Sequence, residues 1–347
     1  MKFKEAVTYD DMLMVPQYSD ITSRGEVDIS STLGHREFSL PVIASPMDTV
    51  SEAQMAIAMN DAGGLAVLHR YNTITDQQKM AQTVINHTDW SGQIAAAIGV
   101  TGDYLERAES LLAVGTDILC IDIAHGHHSL MKKALTTLRE AVGNHVYIIA
   151  GNVCTLEGIN DLADWGADAV RCNIGGGSIC STRVTTGHGL PGLQTIFDCA
   201  RTDRDVAIIA DGGLKTSGDI VKALAAGADF VMCGSLLAGT TESPGPLVCQ
   251  HAGYPVKEYR GMASKDAQLD WRNKSSTPEG VASYIPYKGS VIDILQDLEG
   301  GIKSGLSYSG ARTLADLRSK VEWSRQTSAG TQESSTHIFN TPDARRK

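Results

Sequence analysis

VAIIADGGLKTSGDIVKALAAGADFVMCG, residues 206–234, holds a short apolar run, a glycine pair, a helical pattern and a second apolar run. An apolar run of that length, rich in Val and Ile and bounded by turn residues, reads as a strand buried on both faces. The span is therefore strand, loop, helix, strand. Working outward, the same unit recurs upstream: LPVIAS (40–45), GLAVLH (64–69), QIAAAIG (93–99), DILCID (117–122), VYIIAG (146–151) and DAVRCN (168–173) are the other apolar runs. Between them lie helical patterns such as SEAQMAIAMNDAG, DYLERAESLLAVG, LMKKALTTLREAVG, LEGINDLADWGA and LQTIFDCAR. Eight such alternations predict a parallel sheet covered by helices, and they fit a closed (β/α)8 TIM barrel better than an open sheet. An open dinucleotide fold would carry GxGxxG after its first strand, whereas here that strand runs into Ser45-Pro46-Met47-Asp48.

The chain has 347 residues, 42% hydrophobic and 5% aromatic, and reads as one domain over residues 1–347. Residues 1–38 look irregular and polar. Residues 240–288, after the eighth strand, lack periodicity and read as a long active-site flap, and helical character returns at Ser290–Leu306 and Thr313–Trp323. The polar tail, 328–347, is expected to be mobile or ordered only against a neighbour. A net charge of −10 argues against nucleic acid as a partner. Residues 1–20 hold no apolar signal core and no run suits a membrane span, so a cytoplasmic location without membrane contact is expected. Seven cysteines without CxxC spacing read as free thiols in a reducing compartment.

In such a barrel the chemistry sits at the C-terminal ends of the strands. Those ends are Ser45/Met47/Asp48, His69/Arg70, Asp122/His125, Asn152, the loop NIGGGSICSTR (173–183), Asp211-Gly212-Gly213 and Gly234-Ser235. Glycines that only make tight turns would be ordinary. Three glycine sites converging beside a serine and a cysteine point instead to a phosphate cradle. Cys180 lies in a loop beside Thr182 and Arg183, unlike the in-strand Cys120, Cys172 and Cys233, and a nearby cation would favour its ionisation as a nucleophile. Asp122 and Asp211 read either as helix caps or as carboxylates gripping ribose hydroxyls. The cluster His125-Gly126-His127-His128 lacks a further ligand at helical spacing and reads as a loop rather than a metal site.

Taken together, SPMDTV (45–50), AGNV (150–153), GGGSICSTR (175–183), ADGG (210–213), GSLLAG (234–239), YRGM (259–262), PEG (278–280) and PYKG (286–289) resemble the inosine monophosphate dehydrogenase and guanosine monophosphate reductase family. The likeness covers nearly the whole chain. It implies a homotetrameric barrel enzyme acting at carbon 2 of a purine mononucleotide through a covalent cysteine adduct. On that resemblance Cys180 is the nucleophile, with Thr182 and Glu279 shuttling protons. Ser178, Gly213, Gly234, Ser235 and Tyr259 hold the phosphate and Asp211 the ribose. Gly261, Met262 and Glu279 meet the base, with Met47 packing nearby, and Ser45, Gly212, Arg260 and Gly280 complete the substrate site. Ser23, Arg24, Arg70, Asp122, Ile123, Ala124, Ile174 and Gly175 form the nicotinamide cofactor site. The carbonyls of Gly175, Gly177 and Cys180 form a monovalent-cation loop for potassium. Two positions depart from the pattern: Gly176, where the family usually has the proline of GPG, and Ser181, where it usually has threonine.

Both activities share the nucleotide site, and GSLLAGTTESPG (234–245) and AGTQES (329–334) look like the dehydrogenase. A dehydrogenase hydrolyses its covalent intermediate with an Arg-Tyr pair in a long flap. The segment ASKDAQLDWRNKSSTP (263–278) has no such pair, and only Arg272 beside Trp271 resembles one. The regulatory CBS domain common in dehydrogenases is also missing between the second helix and third strand. The expectation is therefore an NADPH-dependent GMP reductase. The alternatives are an IMP dehydrogenase using NAD, and an inactive nucleotide-binding protein.

Overall fold

The computed structural model describes residues 4–87, 93–249 and 253–334. Eight parallel strands close into a barrel: β1 (Val42–Ala44), β2 (Leu65–Leu68), β3 (Ala95–Ile98), β4 (Ile118–Asp122), β5 (Tyr147–Val153), β6 (Ala169–Cys172), β7 (Ala207–Asp211) and β8 (Phe230–Cys233). Closure is made by β8 on β1, with Val231 opposite Val42 and Cys233 opposite Ala44. Each strand coincides with one of the apolar runs, because both of its faces are buried. Along β3, Ala95 and Ala97 point into the barrel while Ala96 and Ile98 pack outward against helices. Small inward side chains leave room for Phe230 and Tyr147. The barrel floor is plugged by an antiparallel hairpin, Ser31–Leu33 with Arg36–Phe38, whose Leu33 and Phe38 enter the interior. Phe38 meets Phe230 edge-on at 5.5 Å.

Helices follow the strands: α1 (Ala53–Asp61), α2 (Ile74–His87), α3 (Tyr104–Ala113), α4 (Ser129–Val142), α5 (Leu156–Asp164), the short α6 (Thr182–Thr186), α7 (Gly192–Cys199) and α8 (Ser217–Ala225). Their starts are chemically marked. Thr155 caps α5 through Gly158 N, and Thr216 with Asp219 forms a capping box on α8. No helix among the described residues is long and apolar enough to cross a membrane.

Three regions differ from the reading by composition. The flap is an ordered unit in its described residues: β9 (Val248–Cys249), β10 (Pro255–Arg260) and β11 (Ala282–Pro286) form an antiparallel sheet, with α9 (Lys265–Arg272) in the crossover between β10 and β11. The N-terminal segment is not wholly irregular, since Met12–Met14 pairs with Trp323–Arg325 and sews the start of the chain to its far end. Trp323 consequently sits in a strand, after α10 (Val291–Tyr308) and α11 (Leu314–Lys320). Residues Ser328–Glu333 form a last short helix tied to the N-terminal segment by Gln326 Nε2 and Thr331 Oγ1, both donating to Asp10 O. That part of the tail is ordered against its own chain; residues 335–347 lie outside the described ones.

Candidate active site

At the C-terminal mouth of the barrel lies a cavity of about 300 Å³. It is walled by strand ends on one side and by the flap on the other. On the β6–β7 side it takes Ile174, Gly175, Gly177, Ser178, Cys180 and Thr182, and from the end of β7 Asp211, Gly212 and Gly213. Ser45 and Met47 follow β1, Asp122, Ile123 and Ala124 end β4, and Arg70 follows β2. Gly234 and Ser235 follow β8, while the flap contributes Tyr259, Gly261, Met262, Glu279 and Gly280.

The sulfur is the chemical centre. Cys180 is exposed in the loop, and its Sγ donates to Thr182 Oγ1 at 3.2 Å. Thr182 Oγ1 in turn donates to Glu279 Oε2 at 2.9 Å. Thiol, hydroxyl and carboxylate thus form one chain through which a proton can move. Backbone pairing fixes it: Ser181 N donates to Glu279 O at 2.9 Å and Val281 N to Ile179 O at 3.0 Å, so the PEG segment is stitched edge to edge onto the cysteine loop. Two in-strand cysteines are enclosed instead: burial pushes Cys120 up to about 11 and Cys233 up to about 12, which keeps both protonated.

One expectation about the thiol is overturned. Arg183 does not serve the sulfur. Its Nε donates to Ile174 O at 3.2 Å and its Nη2 to Leu190 O, so it braces the two ends of the loop. Among the described residues, Thr182 is the one side-chain hydrogen-bond partner of Cys180 Sγ.

Asp211 and Asp122 also have a defined setting. Arg171, central in β6 and 6% exposed, donates from Nε and Nη2 to Asp211 Oδ2 at 3.0 and 2.8 Å, and from Nη1 to Asp122 Oδ1 at 2.6 Å. Asn152 Nδ2 adds a donor to Asp211 Oδ2 at 2.7 Å. Burial alone would raise the Asp122 carboxyl, but the Arg171 and Arg70 guanidiniums outweigh it and hold it below the usual carboxylate range. Neither aspartate is a helix cap. The sequence did carry a signal for this, namely an arginine inside an otherwise apolar strand, which must find buried anionic partners.

The anion-cradling corner is narrow. Ser178, Ser235 and the buried Tyr259 line it together, and burial pushes the Tyr259 hydroxyl up to about 12. A side chain on Gly234 would place its Cβ 2.8 Å from Tyr259 Oη and 3.1 Å from Ser45 Oγ, so only glycine leaves this corner open.

Three of the expected site residues lie elsewhere. Arg260 does not line the cavity: it donates to Asp48 Oδ2 from Nε at 3.0 Å and from Nη2 at 2.6 Å, and its Nη1 reaches Asp270, clamping the flap onto the end of β1. Ser23 caps a turn through Gly25 N, and Arg24 Nη2 donates to Ser304 Oγ of α10; neither residue reaches the cavity. A second cavity of about 310 Å³ adjoins the first and shares Arg70 and Ile123 with it. Arg107 and Arg272 line it too, as does Trp271, whose ring stacks on Tyr71 at 5.9 Å. Arg272 is thus on the wall of the second cavity and not of the one that holds Cys180.

The molecule is thus a closed (β/α)8 barrel whose mouth joins a thiol, a hydroxyl and a carboxylate in one hydrogen-bonded series. A family model described as IMP dehydrogenase / GMP reductase domain matches residues 6–337, and the chain belongs to that family of oxidoreductases. It is 33% identical to an inosine-5'-monophosphate dehydrogenase of Nitrosopumilus maritimus over 473 aligned residues, covering 97% of this chain and 99% of that one. It is 31% identical to a GMP reductase of Leishmania major over 479, covering 96% and 97%. Among solved structures, that of Trypanosoma brucei GMP reductase, a cysteine-to-alanine variant in complex with guanosine 5'-monophosphate, superposes with a TM-score of 0.91 at 30% identity, covering 97% of this chain and 98% of that one. Both sequence alignments are longer than this whole chain of 347 residues, so relatives of either name carry insertions that it lacks. The missing insert therefore does not separate the two activities.

Proposed function

We propose that this chain is an NADPH-dependent GMP reductase, converting GMP, NADPH and two protons to IMP, NADP+ and ammonium. The observation that carries the reading is the flap segment 263–278. It holds no Arg-Tyr pair, and its one arginine, Arg272, faces the second cavity rather than Cys180. A dehydrogenase must activate water against its covalent intermediate, and no residue of that segment is offered to the sulfur for it. A reductase has no such step.

The residues divide the work as follows. Cys180 passes its proton to Thr182 and Glu279, and Sγ bonds to carbon 2 of the purine. The bond from carbon 2 to the amino nitrogen breaks, and ammonia leaves with a proton returned by the same relay. When bound, NADPH supplies the hydride equivalent that takes the amino group's place. The carbon–sulfur bond then breaks, and the Cys180 thiolate is reprotonated through Thr182. Ser178, Gly213, Gly234, Ser235 and Tyr259 hold the phosphate, Asp211 the ribose, and Ser45, Met47, Gly212, Gly261, Met262 and Gly280 enclose the nucleoside.

A nicotinamide cofactor fits the residues beside Asp122, Ile123, Ala124, Ile174 and Gly175. Arg70 lines both cavities, with its Nε 3.6 Å from Asp122 Oδ2, and its guanidinium is the positive charge there that would attract an anionic group of the cofactor. Potassium at the carbonyls of Gly175, Gly177 and Cys180, and a cytoplasmic homotetramer, belong to the same reading; contact of Ser23 and Arg24 with the cofactor would have to come from a neighbouring subunit. The test is to mix the protein with GMP and NADPH and follow loss of the reduced cofactor. Absence of that loss, with NADH appearing from IMP and NAD, assigns the dehydrogenase instead.

A further inference from the structure

At the centre of the loop that carries Cys180, the space a side chain on Gly176 would take is filled by a residue three positions earlier. A Cβ built on Gly176 would lie 2.1 Å from Asn173 Nδ2 and 2.7 Å from Asn173 Oδ1. Gly176 is not one of the glycines at positive φ, so its backbone would accept a side chain; the obstacle is the Asn173 carboxamide. That carboxamide is put to use. Asn173 is 4% exposed, and its Nδ2 donates to Asp211 O at 2.9 Å and to Gly212 O at 3.3 Å, across the mouth of the barrel at the end of β7. Its backbone sits at φ 149°, which glycine adopts freely and other residues rarely. A conformational cost at a buried position persists where surrounding contacts fix it. Here those contacts are the carbonyls of Asp211, at the end of β7, and of Gly212 just after it, the Asn152 Nδ2 bond to Asn173 O at 3.0 Å, and the Asn173 N bond to Val153 O at 2.8 Å.

We propose that Asn173 is a positioning residue for Cys180, stiffening through its side chain the loop that carries it, and that Asn173 and Gly176 are a coupled pair. The glycine makes room for the carboxamide, and the carboxamide binds the loop to the strand whose end carries Asp211. The effect on turnover rests on the covalent role given to Cys180 above; the effect on loop order does not.

A double-variant cycle tests it with two readouts: hydrogen exchange of residues 174–180 without nucleotide, and steady-state turnover of GMP with NADPH. Asn173→Gly removes the tether without backbone penalty. It should speed exchange about tenfold and lower kcat about tenfold, the scale of one or two lost hydrogen bonds. Asn173 Oδ1 also accepts from Arg183 Nη2 at 3.5 Å, so Asn173→Ala, which removes the whole carboxamide and keeps the backbone cost, is the second variant and should loosen the loop at least as much as Asn173→Gly. Gly176→Ala should expel the carboxamide and loosen the loop alone, whereas in Asn173→Gly/Gly176→Ala no carboxamide is left to expel, so exchange and kcat should stay within about threefold of Asn173→Gly and the two effects should not add. Unchanged exchange in Asn173→Gly, or a double variant in which the two single effects add, overturns the proposal. If the parent itself turns over no GMP, the reaction assigned above fails while the exchange cycle still decides the pairing.

Discussion

Replacing Thr182 by valine keeps the shape of the side chain and deletes one oxygen. That oxygen accepts from Cys180 Sγ at 3.2 Å and donates to Glu279 Oε2 at 2.9 Å, so its loss breaks the hydrogen-bonded path from sulfur to carboxylate. Positioned acid–base groups contribute about 10²–10⁴ in rate. Each tenfold is about 1.4 kcal/mol of barrier, so the deletion should raise it by about 3–5 kcal/mol. Stability should respond much less. The side chain is 9% exposed, the methyl fills the same space, and a single hydrogen bond is worth about 1 kcal/mol. The expected result is kcat reduced about a hundredfold or more, with the KM for GMP within about threefold of the parent, because the phosphate and ribose contacts are untouched. Steady-state loss of NADPH against GMP concentration gives both constants, and a thermal melt gives stability. A kcat within threefold of the parent in a normally folded variant would refute the relay.

Other perturbations probe the frame around the relay. Arg171→Met should strand the Asp122 and Asp211 carboxylates in the barrel, costing about 3–5 kcal/mol in urea unfolding near neutrality. Asp122 is held below the usual carboxylate range, so its contribution is present above the unfolded-chain value of about 3.9 and fades as the pH falls through the folded one; the gap between variant and parent should narrow in acid. Gly234→Ala should raise the KM for GMP at least about tenfold and abolish nucleotide protection against heat, since its Cβ would fall 2.8 Å from Tyr259 Oη. Burial pushes Lys288, which donates to Ser235 O and Leu236 O, down to about 8. The unfolded chain keeps that proton to about 10.4, so this group adds stability as the pH rises from 8 towards 10, and Lys288→Met should remove that slope in urea titrations at the two ends.

The barrel was legible because its strands are covered on both faces, which leaves unbroken runs such as VAIIAD and DFVMCG with small polar or glycine residues at their ends. The flap was not. Strand β10 reads PVKEYR, with Lys257 buried against the carbonyls of Thr240 and Ser243 and Arg260 clamped to Asp48, so its charges hide its strand character. Met12–Met14 could not be read as a strand because its partner, Trp323–Arg325, lies at the other end of the chain. Glycine and serine clusters revealed most of the residues around the cavity, since open backbone and small donors at strand ends have few other uses. Sequence could not say where arginines point. Arg183 and Arg260 sit beside site residues in the chain, yet packing commits them to Leu190 and Asp48.

The edge-to-edge stitching of Ile179–Ser181 to Glu279–Val281 divides labour between a permanent part and an exchangeable one. The barrel rim alone carries the sulfur and most of the glycines and small donors of the cavity, so a molecule with its flap peeled away would keep most of that wall and would lack the carboxylate to which Thr182 donates. Affinity and turnover are consequently separable properties of this architecture. A lineage could rewrite residues between Met262 and Glu279 without disturbing the strand ends and glycine loop that wall the other side of the cavity.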